Sequence, residues 1–272
     1  MTSLGQQGSA EAIIAALPGD AEAIYRLLAE AFGPSYLKFT VYQSTKASDF
    51  IRHQVAASRA AGVPTFFVLR EGGALAGFYN AMRRGREFFL NYIGTAEHTR
   101  SFGAGRRLMD HFETSGLAMG CESLGLDVFR SNGIASAWYA RRGYQTRSVR
   151  YHMRFELEDL ACGASERLEV DPTLLKQALE VESLRGFSSF PCSFSGKPMK
   201  LGLINGSVCN LLEPRGPAAL EAASAVALAF AGQRRWLLAT SEVPIPEARW
   251  AESVEEALYM TRLAARTSRD GR

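Results

Sequence analysis

The spacing of apolar residues changes several times along this chain, and each change predicts an element. After a polar start, Glu11 to Leu17 is a short apolar stretch with the character of a strand. "PGD" follows and puts Asp20 in a good helix N-cap position. Ile24, Leu27, Leu28, Ala31 and Phe32 then share one helical face, until Gly33-Pro34 stops the helix. A second helix is expected across Asp49 to Ala61, with Phe50, Val55 and Ala57 as its apolar members. In "PTFFVLREGGALAGFYNAMRR" two strands flank Gly72-Gly73, a hairpin signature, and "EFFLNYIGT" is a third strand. From Gly103 to about Ala118 the period becomes helical, with Leu108, Met109, Phe112 and Leu117 apolar. "SLGLDVF" reads as a buried strand and "SNGIASAWYARRG" as a short helix closed by Gly143. "YQTRSVRYHMRFEL" alternates as a strand pair or one long bent strand, ending near Leu157. The order β-α-α-β-β-β-α-β-α-β, antiparallel at first and crossing over through helices later, describes an α/β (α+β) mixed sheet.

The pattern differs beyond Glu158, which predicts a domain at residues 1–157 and a smaller α/β module at 158–272. "DLACGASE" is linker-like, "DPTLLKQALEVESL" helical, and "MKLGLINGSVCNLLE" a hairpin around Asn205-Gly206. "GPAALEAASAVALAFAGQ" is an Ala-rich helix with Pro217 near its start, "RRWLLATS" a strand, and "VEEALYMTRLA" comes last. "RGFSSFPCSFSG", with three phenylalanines among Ser, Pro and Cys, reads as a packed connection or a loop over a substrate site. "RYHMRF" and "LYMTRL" share Tyr, Met and Arg in order, a faint sign of a shortened internal duplication.

Composition narrows the class. The 272 residues are 47% hydrophobic and 22% charged, with net charge +3, as in an ordinary soluble globular protein rather than a nucleic-acid binder. No apolar run approaches the ~18 residues of a membrane span, and the start lacks the regions of a signal peptide. Cys121, Cys162, Cys192 and Cys209 lie far apart, against a zinc site or disulfide framework and for a reducing compartment. A cytoplasmic protein without a metal is expected, and a homodimer is the default assembly.

The candidate chemistry begins at "TRSFGAGRRLMDHF", where Gly103 and Gly105 precede a helix and Arg100, Arg106 and Arg107 surround them. Unpaired N–H groups at a helix start, reached through glycine, suit a phosphate or pyrophosphate. No GxxxxGK[ST] is present, and Leu108 stands where a dinucleotide fingerprint needs its third glycine. Arg100-x-x-Gly103-x-Gly105 resembles the acyl-CoA loop of the GNAT (Gcn5-related N-acetyltransferase) superfamily. Asn132, Ala135, Tyr139, Gly143 and Tyr144 are similar to that family's other hallmark, N-x-x-A-x-x-x-Y-x-x-x-G-[FY]. The resemblance covers residues from about 11 to 155.

That resemblance implies an acetyl-CoA-dependent N-acetyltransferase of direct transfer, with acetyl-CoA as co-substrate and a small-molecule or peptide amine as acceptor. Neither nucleic acid nor membrane is expected as a partner. It implies cofactor contacts at Ile93, Gly94 and Thr95 and at Arg100, Ser101, Phe102, Gly103, Ala104, Gly105 and Arg106. Asn132 is expected to bond the pantetheine arm, to cap its helix, or both. Tyr139 holds the family's general-acid position, and a phenol is protonated at neutral pH. The base is not identified: Glu87 is the first candidate, and Asn91 and Asp127 are others, all equally explained as polar strand positions. His53, His98, His111 and His152 have no metal spacing and read as solvated or packed. Some relatives carry two modules in tandem, one without the loop, and neither motif recurs after Glu158. The alternative is a non-catalytic acyl-CoA-binding sensor or scaffold.

Overall fold

A computed structural model describes residues 12–160, 168–213, 218–230, 232–242 and 251–264. Two compact units emerge, and the chain passes between them four times. The first holds Met1–Ala31, Ile51–Leu124 and Leu263–Arg272, and the second Phe32–Phe50 and Gly125–Arg262. No helix among the described residues is long and apolar enough to cross a membrane.

The first unit is built on an antiparallel ladder. Its elements are β1 (Ile13–Ala15), α1 (Ala21–Leu37, within this unit to Ala31), α2 (Ala47–Ala60, from Ile51), β2 (Phe66–Glu71), β3 (Ala74–Arg84), β4 (Glu87–Thr95) and α3 (Ala104–Ala118). The order is β1-β2-β3-β4. Gly72 and Gly73, with φ of 57° and 83°, make the two-residue turn between Glu71 and Ala74. Two positive φ values are what a right-twisted hairpin requires. Between Asn80 and Ala81 the β3–β4 register shifts, leaving Asn91 as the extra residue of a bulge.

Asp20 differs from its expected role. It ends a 3-10 turn, Pro18–Asp20, and its carboxylate reaches back to accept from the Leu17 N–H at 2.8 Å while pairing with Arg70. Gly33 interrupts α1 as expected, with φ 69° and ψ 168°, but Pro34 starts a further helical turn to Leu37. In α2 the buried stripe is Ala47, Ile51 and Val55, while Ala57 is exposed and so lies off the apolar face assigned to it. Likewise Leu108, Met109, Phe112 and Gly116 are the buried side of α3, and Leu117 is 42% exposed. Gly116 is needed there: a Cβ would stand 2.5 Å from Leu124 Cδ2.

The second unit contains the larger core. Along the chain come β5 (Ser123–Phe129, within this unit from Gly125), α4 (Gly133–Arg141), β6 (Gln145–Glu156), α5 (Leu157–Leu160), β7 (Leu168–Glu169) and α6 (Pro172–Arg185). Then follow β8 (Phe187–Phe194), β9 (Lys197–Ile204), β10 (Val208–Glu213), α7 (Ala218–Phe230), β11 (Trp236–Ser241) and β12 (Ser253–Leu263). The order is β5-β12-β6-β11-β10-β9-β8-β7. β6 is one continuous strand, and the final strand of the chain lies between β5 and β6, antiparallel to β6. The two similar hexapeptides therefore belong to neighbouring strands.

Met153, Phe155, Leu201, Leu203, Val226 and Leu237 are central to the core, with the alanines of α7 allowing close approach to the sheet. "RGFSSFPCSFSG" is not a connection but β8, with Ser188, Phe190 and Cys192 turned inward at period two. Pro191 is tolerated because β7 pairs only with Ser193 and Phe194, so no ladder donor is asked of it on that edge among the described residues. Asn205 and Gly206, both at positive φ, turn β9 into β10. Of the linker "DLACGASE", residues 161–167 fall outside the described residues, as does Pro217.

Candidate active site

The glycine loop in the first unit is held from below. A 3-10 turn, Glu97–Phe102, leads from β4 to α3, and Thr99 is buried with its hydroxyl donating toward Ala76 O and Ala96 O, each at 2.9 Å. Gly103 follows in the left-handed region at φ 80° and ψ 11°, which β-carbon crowding disfavours for other residues. Its missing Cβ faces open space. The first helical bond is Arg107 N–H to Gly103 O at 3.1 Å, so the N–H groups of Ala104, Gly105 and Arg106 precede the ladder. Arg106 is exposed, whereas Arg107 is engaged with Glu71 at 2.9 Å.

Ile93, Gly94 and Thr95 end β4 opposite Tyr79, Phe78 and Gly77. Gly94 has a packing reason of its own: a Cβ would lie 2.9 Å from Phe78 and 3.3 Å from the Ala31 methyl, so α1 could not approach β4. Glu87 is the first residue of β4, roughly 26 Å from Thr95 at ~3.3 Å per residue. Asn91, at the bulge, donates to Asn80 Oδ1 at 2.9 Å and accepts from Arg84 at 3.1 Å. Arg84 lies over the Phe89 ring at 3.5 Å. His98 and His53 are exposed. His111 is the packed one: Tyr79 Oη is 2.7 Å from its Nδ1, with Ser115 Oγ at 3.4 Å. Burial raises the Tyr79 phenol and lowers the His111 imidazole.

The second motif lies in the second unit. Asn132 Oδ1 accepts from Ala135 N–H at 3.1 Å, the helix-capping role anticipated for it. Tyr139 is buried on α4, its ring 5.2 Å from Trp138 and 6.0 Å from Tyr144. Burial pushes its phenol further up, so the proton stays on oxygen through the neutral range. Gly143 closes the helix at φ 88°, Arg142 lies 5.7 Å from the Trp138 ring, and Arg141 is exposed. Asp127 is gripped by Arg150 through 2.8 and 2.7 Å bonds, an ion pair that already engages the carboxylate.

His152 was not singled out by its sequence context, yet it sits among Thr240, Phe129 and the register partner Glu255. Only β12 pairing brings that glutamate there. Of the cysteines, Cys121, Cys192 and Cys209 are free and buried, and burial pushes the last two thiols up to about 11 and about 12. Cys162 falls outside the described residues.

Residues 21–144 match the family model described as Acetyltransferase (GNAT) family. No curated protein matches the chain. Among solved structures, a proposed acetyltransferase from Pyrococcus horikoshii is 14% identical at a TM-score of 0.63, over 97% of this chain and 92% of its own. A tandem GNAT protein from the clavulanic acid biosynthesis pathway is 15% identical at 0.62, over 93% and 98%. A GCN5-related N-acetyltransferase from Kribbella flavida is 15% identical at 0.53, over 93% and 70%. These identities establish likeness of fold, and the matched span identifies a GNAT acetyltransferase domain at residues 21–144 of this chain.

Proposed function

We propose that the protein transfers an acetyl group from acetyl-CoA directly to an amine, within one ternary complex. The observation that carries this reading is the start of α3, where left-handed Gly103 opens the N–H groups of Ala104, Gly105 and Arg106 to an anion beside an exposed arginine. In this reading the pyrophosphate lies on the backbone from Arg100 through Ser101, Phe102, Gly103, Ala104 and Gly105 to Arg106. The pantetheine arm follows Ile93, Gly94 and Thr95 and meets Asn132. Tyr139 protonates the departing thiolate; its raised pKa keeps the proton available at neutral pH. Glu87 is the base candidate on β4.

Residues 1–157 form the catalytic module and 158–272 a shortened GNAT-like one, a division supported by likeness to a tandem GNAT protein over 93% of this chain. The three described cysteines, free and buried, suit the cytoplasm. Calorimetry with acetyl-CoA, CoA and NAD should give saturable binding of the first two only. Release of CoA thiol with a panel of primary amines then separates the enzyme from a non-catalytic sensor, which binds acetyl-CoA and releases nothing. Tyr139→Phe should lower kcat about 100-fold or more, the ordinary scale of acid catalysis, with CoA affinity unchanged. Unaltered turnover removes Tyr139 from the mechanism.

A further inference from the structure

Three strand ends of the second unit are tied together at one place. Between β9 and β10 the chain turns at Asn205 and Gly206, and Ser207 O then accepts from the N–H groups of Arg235 and Trp236, at 2.9 and 3.0 Å. Arg235 O accepts in turn from Leu157 N–H at 2.9 Å, joining the start of β11 to the end of β6. Gly206 N–H donates to Glu182 Oε1 at 2.9 Å, and the Arg234 guanidinium turns to the same carboxylate. These bonds hold the backbone around a cavity of about 490 Å³, lined by Glu156, Glu158, Ser207, Gln233, Arg234 and Arg235.

Pockets of this size are mostly apolar, as small-molecule sites usually are. Among the described residues, no apolar side chain lines this one. Its two guanidiniums are already matched, Arg234 by Glu182 at 2.6 Å and Arg235 by Glu156 at 3.1 Å. Glu158 is exposed and has neither an ion pair nor a hydrogen bond among the described residues. Three carboxylates (Glu156, Glu158, Glu182) thus stand against two arginines, which leaves one negative charge over. The Ser207 hydroxyl and the Gln233 side-chain amide are likewise unbonded among the described residues, and each can both donate and accept. An anion meets the Glu158 charge and finds both guanidiniums taken, and an apolar body finds nothing to lie against. A cation that carries hydroxyl groups satisfies all three open side chains.

We propose that this cavity binds a small polyhydroxylated amine in its protonated form, with Glu158 holding the ammonium and Ser207 and Gln233 the hydroxyls. Every residue of the site belongs to the second unit, and none has a part in the acetyl transfer proposed above. Binding here therefore stands or falls without that reading.

Glucosamine is the probe, with glucose as its uncharged counterpart and hexylamine as an amine on an apolar body. Each is added to the full chain at about pH 6.5, below the ordinary range of an amine, and followed by calorimetry and by side-chain amide signals in proton–nitrogen spectra. Glucosamine should bind saturably and move the Gln233 amide signal, assigned by its loss in Gln233→Ala, while glucose does neither. Hexylamine should bind several-fold more weakly than glucosamine. Glu158→Gln should weaken glucosamine about fivefold, the scale of an ion pair in contact with solvent. Ser207→Ala and Gln233→Ala should each weaken it about threefold, as loss of one hydrogen bond does. All three variants are checked for an unchanged melting temperature. Gly103→Glu should leave glucosamine affinity alone, so this site and the coenzyme loop are tested separately. No saturable binding of glucosamine, equal binding of glucose, hexylamine as tight as glucosamine, unchanged affinity in Glu158→Gln, or an unmoved Gln233 signal each overturns the proposal. Glucosamine affinity that falls in Gly103→Glu assigns the amine to the first unit and overturns it too.

Discussion

Gly103→Glu is the perturbation that tests whether the glycine loop before α3 holds an anion. Space is available for the side chain, since nothing lies within 4 Å of the Cβ position. The folding cost is mainly that of a left-handed non-glycine residue at φ 80°, about 1–2 kcal/mol. Gly103→Ala carries the same backbone cost without the charge and is the matched control. A carboxylate beside a bound pyrophosphate adds repulsion of about 4 kcal/mol per charge pair at 4 Å and an effective dielectric near 20, and less where solvent screens it. Taking about half of that for an open loop, acetyl-CoA affinity should fall roughly 30-fold in Gly103→Glu relative to Gly103→Ala. Raising the salt concentration should narrow the difference, because exposed charges are screened beyond about a Debye length. Calorimetric titration of both variants at two salt concentrations reads it directly. Equal affinities for Glu and Ala at low salt would refute the argument that this loop holds the phosphates.

Three further outcomes test the packing. Glu182 and Arg234 are each 5% exposed and joined by bonds of 2.7 and 2.6 Å, with Gly206 N–H donating to the same carboxylate at 2.9 Å; Glu182→Leu strands a buried guanidinium and should cost about 3–5 kcal/mol in chemical denaturation, which Arg234→Met in the same chain should largely restore. At Gly186, with φ 73°, an added Cβ collides with Ser44 and comes within 2.8 Å of Lys46, so Gly186→Ala should lower the melting temperature by several degrees, as a loss of about 2 kcal/mol does. His111 has its folded-state pKa lowered by burial, so the native state resists the proton that the unfolded chain takes. Stability should therefore fall as pH drops through about 6.5 toward the lower folded value, and His111→Gln should flatten that part of a melting-temperature profile between pH 7 and 5.

Much of the fold was legible because its signals are local. Gly72-Gly73 and Asn205-Gly206 require positive φ at both turn residues, so the turns could be placed before any strand was paired. Asp171 followed by Pro172 starts α6 as helix chemistry predicts, its carboxylate accepting from Thr173 and Leu174. The candidate site was half legible for the same reason. A glycine at a helix start and an asparagine that caps α4 are features of short segments, whatever lies around them.

What the sequence could not decide is what depends on residues far apart. Pro191 and its serines argue locally against a strand; β8 forms because β9 supplies a partner for its whole length and its other edge makes few demands. Asp127 looks like any strand carboxylate until Arg150, on β6, ties it down. Residue alternation places His152 opposite Met153, but only the insertion of the last strand between β5 and β6 sets Glu255 beside it. Backbone preference and capping are decided within a few residues, so the chain itself determined its turns, helix starts and the glycine loop before α3. Strand neighbours are chosen by which pairing buries the shared core, a property of the whole unit, and the tertiary structure alone decided which charges meet.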